Sequence, residues 1–498
     1  MSICDEEAGH GDAGRWRAAI IGGSLALAVA ALLLPLPPGL GEDGRRVAIV
    51  AVLMAVWWTT EVLPLPITAL VPIAVFPLAG VGALEVVARP YADPLIFLFL
   101  GGFMLAGAME RSGLHRRLAL AALSICGSSP RAQVLAMMAG TAFLSLWVSN
   151  TATTMVMVPI GLSLVATQRE REAGERRAPP GQADGSFGIA LMLGIAFAAT
   201  IGGMGSLIGT PPNALFAGFV ERTYGVTIGF GQWMAVGLPI VLVLLPLTWI
   251  ILTRVVFRLP AHGGGEGTEA LDRGPLTPAQ RRVAAILALT ALAWLARPLL
   301  TRLPGLAGLG DAGVAMLATL ALFLVPAGEK GRDGLLTWAE ARTVRWDVLI
   351  LFGGGLALAD AIKSAGLAAW IGAGAAQLDA VPVAVLVLVM MVVIVYLGEL
   401  ASNTAVAAIF LPIAGAAATG LGVAPLTLVL PVALAASLGF MLPVATPPNA
   451  IVYGTGAVTS RDMLKAGAVL DVIGIFVVFG VAHVLAPWVL GAGVGGAR

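Results

Sequence analysis

Two short runs hold most of the polar chemistry of an apolar chain. "SLWVSNTATTMVMVP" (145–159) sets Ser149, Asn150 and Thr151 side by side, and Ser402, Asn403 and Thr404 repeat the triad in "GELASNTAVAAIFLP" (398–412). Hydroxyls and amides offer oxygen to a cation or O–H and N–H to an anion. An asparagine at membrane depth is costly unless something satisfies it. Two more motifs, "GTPPNA" (209–214) and "ATPPNA" (445–450), place Thr210 and Thr446 ahead of paired prolines. Pro-Pro cannot continue a helix from its N-terminal side. Helices are therefore expected to break near Gly209-Thr210 and Ala445-Thr446, with Pro447 beside the second break.

The rest of the chain says what surrounds these motifs. Its 498 residues are 58% hydrophobic and 11% charged, with a mean hydropathy of +0.94. Soluble domains carry roughly 25% charged residues. Apolar runs long enough to span about 30 Å of hydrocarbon recur along the length, and they are continuous rather than alternating. This predicts an all-α polytopic membrane protein in a lipid bilayer and excludes a β-barrel. A net charge of +1 argues against a nucleic-acid partner. Cys4 and Cys126 suggest neither a disulfide framework nor a metal cluster. No cleavage pattern follows the first apolar run, which reads as a retained helix.

An internal repeat organises the chain. Residues 95–114 align without a gap on 348–367, and the two Ser-Asn-Thr triads keep the same offset of 253. The two Thr-Pro-Pro-Asn motifs are offset by 236, the slip matching a charged insert, "QREREAGERRAPPGQAD". Membrane helices are expected near 18–36, 46–61, 65–80, 93–110, 187–220, 231–256, 283–300, 312–327, 346–363, 424–454 and 466–488. The segments 132–167 and 382–420 read as re-entrant hairpins with Ser-Asn-Thr at their tips. About eleven spans plus two hairpins follow. Five crossings separate the repeats, so the second is inverted, as in secondary transporters with midplane sites. Most Lys and Arg fall on one side of this layout. That puts the N-terminus (1–17) and a flexible linker (258–282) in the cytoplasm and the C-terminus outside, in the cytoplasmic membrane.

Hairpin tips and helix breaks free backbone N–H groups that favour an anion and carbonyls that favour a cation. None of the four motifs contains Lys or Arg. Dipoles worth roughly 0.3–2 kcal/mol each fall short for a desolvated dianion, so co-bound hard cations such as Na⁺ would complete the charge. The residues point to cation-coupled anion transport. An intramembrane serine hydrolase is a poor fit: His10, His115, His262 and His483 lie away from the motifs, and no HExxH or GxSxG pattern accompanies Ser149 or Ser402. No enzymatic activity and no cofactor are expected. A channel suits mirrored breaks less well than alternating access, and a sodium/proton antiporter would want acidic residues in the breaks.

Several other groups invite a reading. Thr153, Thr154 and Ser437 are expected to bond back to their own helices. Gly353-Gly354-Gly355 reads as close helix packing. Asp360 and Lys363 read as a snorkelling surface pair, and Glu61 as interfacial. Glu399, one turn before Asn403, either orients the hairpin tip or lines the ion path.

Paired "SNT" motifs, each followed by "[GA]TPPNA", resemble the divalent anion/sodium symporter family over nearly the whole chain. The resemblance implies sodium-driven symport of C4-dicarboxylates such as succinate, malate and fumarate, or transport of citrate. A sodium-independent exchanger and a sulfate carrier are the alternatives. It further implies a homodimer working by an elevator motion. Residues 18–120 and 283–370 would be scaffold, and 130–257 and 381–490 would form the moving transport part. One sodium site would use Ser145, Ser149, Asn150 and Gly209. The other would use Gly398, Ala401, Asn403 and Ala445, and Gly398 departs from the family's frequent hydroxyl. Substrate would meet Ser149, Asn150, Thr151, Thr210, Ser402, Asn403, Thr404, Thr446 and Pro447.

Overall fold

The computed structural model describes residues 3–123, 129–174, 185–260, 275–328, 333–485 and 489–490. Cys126, His262 and parts of the charged insert and the 258–282 linker lie outside these residues. Among the described residues the fold is helical, apart from an isolated bridge between Pro326 and Gly334. Eight described helices are long and apolar enough to cross a membrane, or nine if the bent pair Trp346–Ser364 and Leu367–Leu378 is one span. Each of the eleven expected spans coincides with helix, but several are too short or too broken to pass that test alone.

Both hairpins form. Pro130–Ser145 turns at 146–149 into Asn150–Gly174, and Val383–Gly398 turns at 399–402 into Asn403–Gly420. Local chemistry sets the first hairpin's start: Ser129 accepts from Ala132 N as N-cap, and Pro130 takes the first helical position, where no N–H is needed. Both broken helices form as well. Ser186–Gly203 stops and Pro211–Tyr224 begins after a loop, as do Leu426–Ala435 and Pro447–Gly454. At each restart Thr210 or Thr446 is extended and the proline pair occupies the first turn.

Packing then crosses the repeats. Pro447–Gly454 of the second repeat lies against Ser186–Gly203 and Asn150–Gly174 of the first, and Pro211–Tyr224 of the first lies against Asn403–Gly420 of the second. Ser186–Gly203 is almost wholly buried at the centre. This exchange brings the two tips to one place.

Two bends were not expected. Pro94–Ser112 ends at Gly113 (φ 71°) and continues as Leu114–Leu123, while Trp346–Ser364 is followed by Gly366 (φ 77°) and Leu367–Ala375. The two glycines hold equivalent repeat positions, and the left-handed conformation is one that glycine adopts without the usual penalty. Each short helix runs from a bend to a hairpin.

Some expectations need correcting. Asp360 and Lys363 do not pair with each other: Asp360 takes the Arg222 guanidinium, and Lys363 Nζ donates to Thr223 O at 2.7 Å. Arg222 also meets Asp93 at 3.1 Å, so a buried carboxylate recruited the arginine that a surface reading overlooked. Thr154 bonds back to Asn150 O as expected, but the Thr153 and Ser437 hydroxyls find no partner among the described residues. The glycine triplet does pack closely, with Gly353 against Tyr91, Gly354 against Ala69 and Gly355 against Ala408.

Candidate functional site

One cavity of about 390 Å³ is lined by both Ser-Asn-Thr triads and both restarts. Ser149, Asn150, Thr151, Gly209 and Thr210 face it from the first repeat. Ser402, Asn403, Thr404, Ala445, Thr446 and Pro447 face it from the second. Ser145, Gly398 and Ala401 do not line it; all three are buried behind the tips.

Four helices begin at this cavity, at Asn150, Pro211, Asn403 and Pro447. Each start carries the positive end of a helix dipole and unspent N–H groups, which suit an anion. The side chains leave some of these free: Thr210 makes no capping bond, while Thr446 Oγ1 accepts from Asn449 N and Ser149 Oγ from Ala152 N.

Behind the first tip is a cluster of oxygens. One end of the Asn150 amide lies 2.7 Å from Ser145 Oγ, 3.1 Å from Ala199 O and 3.2 Å from Gly209 O. Ser145 Oγ in turn donates to Ala199 O at 2.7 Å. With Nδ2 turned inward, Asn150 donates to these oxygens. With Oδ1 turned inward, they form the all-oxygen set a hard cation takes. Gly203 makes room, since a Cβ there would collide with the Asn150 amide. Behind the second tip, Asn403 Oδ1 is buried with no donor among the described residues. It faces Gly398 and Gly439, whose missing side chains leave space beside it. An orphaned amide oxygen in a tight buried space fits a cation ligand. The Gly398 departure thus removes a hydroxyl but opens that space.

Sequence reasoning missed several residues. Asn213 Nδ2 donates to Gly203 O (3.1 Å) and Ser206 O (2.7 Å), and Asn449 Nδ2 to Gly439 O (3.2 Å) and Leu442 O (3.0 Å). These motif asparagines tie each break loop to its own restart. Glu61, Phe99, Phe103, Arg345 and Asp347 also line the cavity. Arg345 is held by Asp347, Nε to Oδ1 at 3.0 Å and Nη2 to Oδ2 at 2.8 Å, which cancels its charge. Glu61, read as interfacial from the sequence, is also part of the cavity lining. Glu399 does not line the cavity; it accepts from Met441 N and Leu442 N, which makes it an organiser of the tip.

The family model described as "Sodium:sulfate symporter transmembrane region" matches residues 17–491. The chain belongs to this family, that of the divalent anion/sodium symporters. It is 38% identical over 472 residues to the sodium-dependent dicarboxylate transporter SdcS of Staphylococcus saprophyticus, covering 93% of this chain and 90% of that protein. It is also 38% identical to SdcS of Staphylococcus aureus, over 91% of this chain and 88% of that one. A symporter of this family is a multi-pass membrane transporter, not a hydrolase. The fold resembles the crystal structure of the Alcanivorax borkumensis YdaH transporter, with a TM-score of 0.58 at 15% identity, over 89% of this chain and 99% of that one.

Proposed function

We propose that this symporter carries C4-dicarboxylates such as succinate, malate and fumarate into the cell, driven by sodium. The single observation that carries the reading is the cavity shared by both tips and both restarts. Its four helix starts meet the two carboxylates of the substrate, and Asn150, Thr151, Asn403 and Thr404 donate to them. Thr210, Thr446 and Pro447 shape its sides. The two recesses behind the tips hold sodium, the first through Ser145, Ser149, Asn150 and Gly209, the second through Gly398, Ala401, Asn403 and Ala445.

This arrangement couples cation to anion through one side chain. When sodium enters the first recess, Asn150 turns Oδ1 toward it, and its Nδ2 is freed to donate to a carboxylate. Binding either ion therefore favours the other.

The cavity lies between two sets of elements, which supports an elevator motion. Glu61, Phe99, Phe103 and Arg345 belong to 18–120 and 283–370, the scaffold; the tips and restarts belong to 130–257 and 381–490, the moving part. The working unit is a homodimer in the cytoplasmic membrane, with N-terminus inside and C-terminus outside. The SdcS name favours dicarboxylate over sulfate, as does a cavity of about 390 Å³.

Succinate uptake into proteoliposomes tests the reading. An inward sodium gradient is expected to drive accumulation that a potassium gradient does not. Sodium-independent counterflow would make the protein an exchanger instead, and sulfate flux without succinate flux would reject the substrate class.

A further inference from the structure

Charge is unevenly spread around the substrate cavity. Neutral donors and helix starts come from the tips and restarts. The rest of the lining, between positions 61 and 103 and between 345 and 351, is largely apolar and adds three charged side chains, Glu61, Arg345 and Asp347. Arg345 is the one cation among the described lining residues, and Asp347 already holds it through two nitrogens, at 3.0 and 2.8 Å. Two carboxylates against one guanidinium leave the lining one negative charge in excess, and Glu61 carries it.

Glu61 is exposed and makes neither a hydrogen bond nor an ion pair among the described residues. Arg17 shares with it a smaller neighbouring cavity of about 290 Å³, but its Nε donates to Val62 O at 3.2 Å instead. The carboxylate therefore holds no part of the fold in place, and its backbone is strained. Glu61 ends Glu42–Thr60 in the left-handed region, at φ 48°. Helices commonly close that way on glycine, which escapes the Cβ clash. Nine described glycines hold positive φ, whereas Glu61 and Arg258 are the two other described residues that do. A strained residue that bonds to nothing and lines a ligand cavity points to a use for its side chain there.

Size does not choose between the anions such a cavity could take. Citrate is malate with one more carboxymethyl group, and about 390 Å³ lies in the range that takes drug-sized ligands. Two carboxylates of either anion satisfy the two tips. The third carboxylate of citrate meets no uncommitted cation and is left with Glu61. An unpaired like charge is one way a site rejects a ligand that otherwise fits.

We infer that Glu61 is a specificity-determining residue: its carboxylate turns away trianions such as citrate and leaves the cavity to C4-dicarboxylates. The inference rests on the dicarboxylate reading above.

Competition against labelled succinate, bound in sodium to the purified full-length protein at neutral pH, tests it. In the wild type, citrate is expected to displace succinate roughly tenfold more weakly than malate does, or worse. Glu61→Gln keeps the shape and removes the charge. It is expected to lower the half-displacing concentration of citrate about fivefold or more, the scale of one close charge–charge contact in water, and that of malate less than about twofold. Asp347→Asn releases the Arg345 charge and favours citrate in the same way; it decides the matter if Glu61→Gln does not fold. A wild type that takes citrate as readily as malate overturns the inference. So does a Glu61→Gln protein in which both anions shift equally or neither shifts, the result a merely structural residue would give. A wild type that binds no succinate in sodium rejects the dicarboxylate reading first, and this inference with it.

Discussion

Asn150 and Asn403 hold the same place in two repeats, yet their surroundings differ. The Asn150 amide has three partners at hand in Ser145, Ala199 and Gly209, whereas Asn403 Oδ1 has none. The two alanine substitutions should therefore separate stability from transport. In sodium-free buffer, Asn150→Ala is expected to lower unfolding free energy by about 1–3 kcal/mol, the cost of abandoning buried polar partners. Asn403→Ala should change it by less than about 0.5 kcal/mol, since no bond is lost. Both should abolish sodium-driven uptake. Denaturant unfolding of the purified protein, set beside uptake, checks the contrast. Both triads were legible in the sequence because buried amides at mirrored positions need a reason. Ala199 and Gly203 were not, since a backbone carbonyl or a missing Cβ leaves no mark on residue type. Glu399 was visible as a polar residue, but its partners, the Met441 and Leu442 amides, lie 42 and 43 positions away and leave no mark on residue type.

At the scale of elements, the breaks depend on asparagines within the motif as much as on its prolines. Asn213→Asp keeps the shape but turns a donor into an acceptor facing Gly203 O and Ser206 O. It should impair uptake as severely as Asn213→Ala and destabilise the protein by about 1–3 kcal/mol; thermal unfolding of both variants provides the comparison. Gly203→Ala should leave helix content unchanged in circular dichroism and remove sodium-dependent uptake, because the new methyl displaces the Asn150 amide. Hairpins and breaks were legible from proline pairs and a repeat with a fixed offset. The bends at Gly113 and Gly366 were not, because Gly-Leu within an apolar run is also what an unbroken span contains.

For the whole molecule, Arg222 joins the proposed moving part to the proposed scaffold. It sits at the end of Pro211–Tyr224 and pairs with Asp93 and Asp360. An elevator stroke must part these groups. Cysteines at 222 and 360, bridged by a thiol-reactive cross-linker, should therefore stop uptake, and cleavage of the linker should restore it; undiminished uptake in the bridged protein would rule out a stroke across this boundary. The inverted repeat made the architecture legible from sequence alone, whereas this ion cluster joins positions 93, 222 and 360, which no local pattern connects. In the proposed function, two mirrored tips and their cations make one anion site. Equilibrium binding of labelled succinate to the purified protein, in sodium and in potassium, tests it most directly. One succinate per chain is expected in sodium and none in potassium, with binding lost in Asn150→Ala and Asn403→Ala alike. Binding in potassium, or binding that survives either substitution, would contradict it.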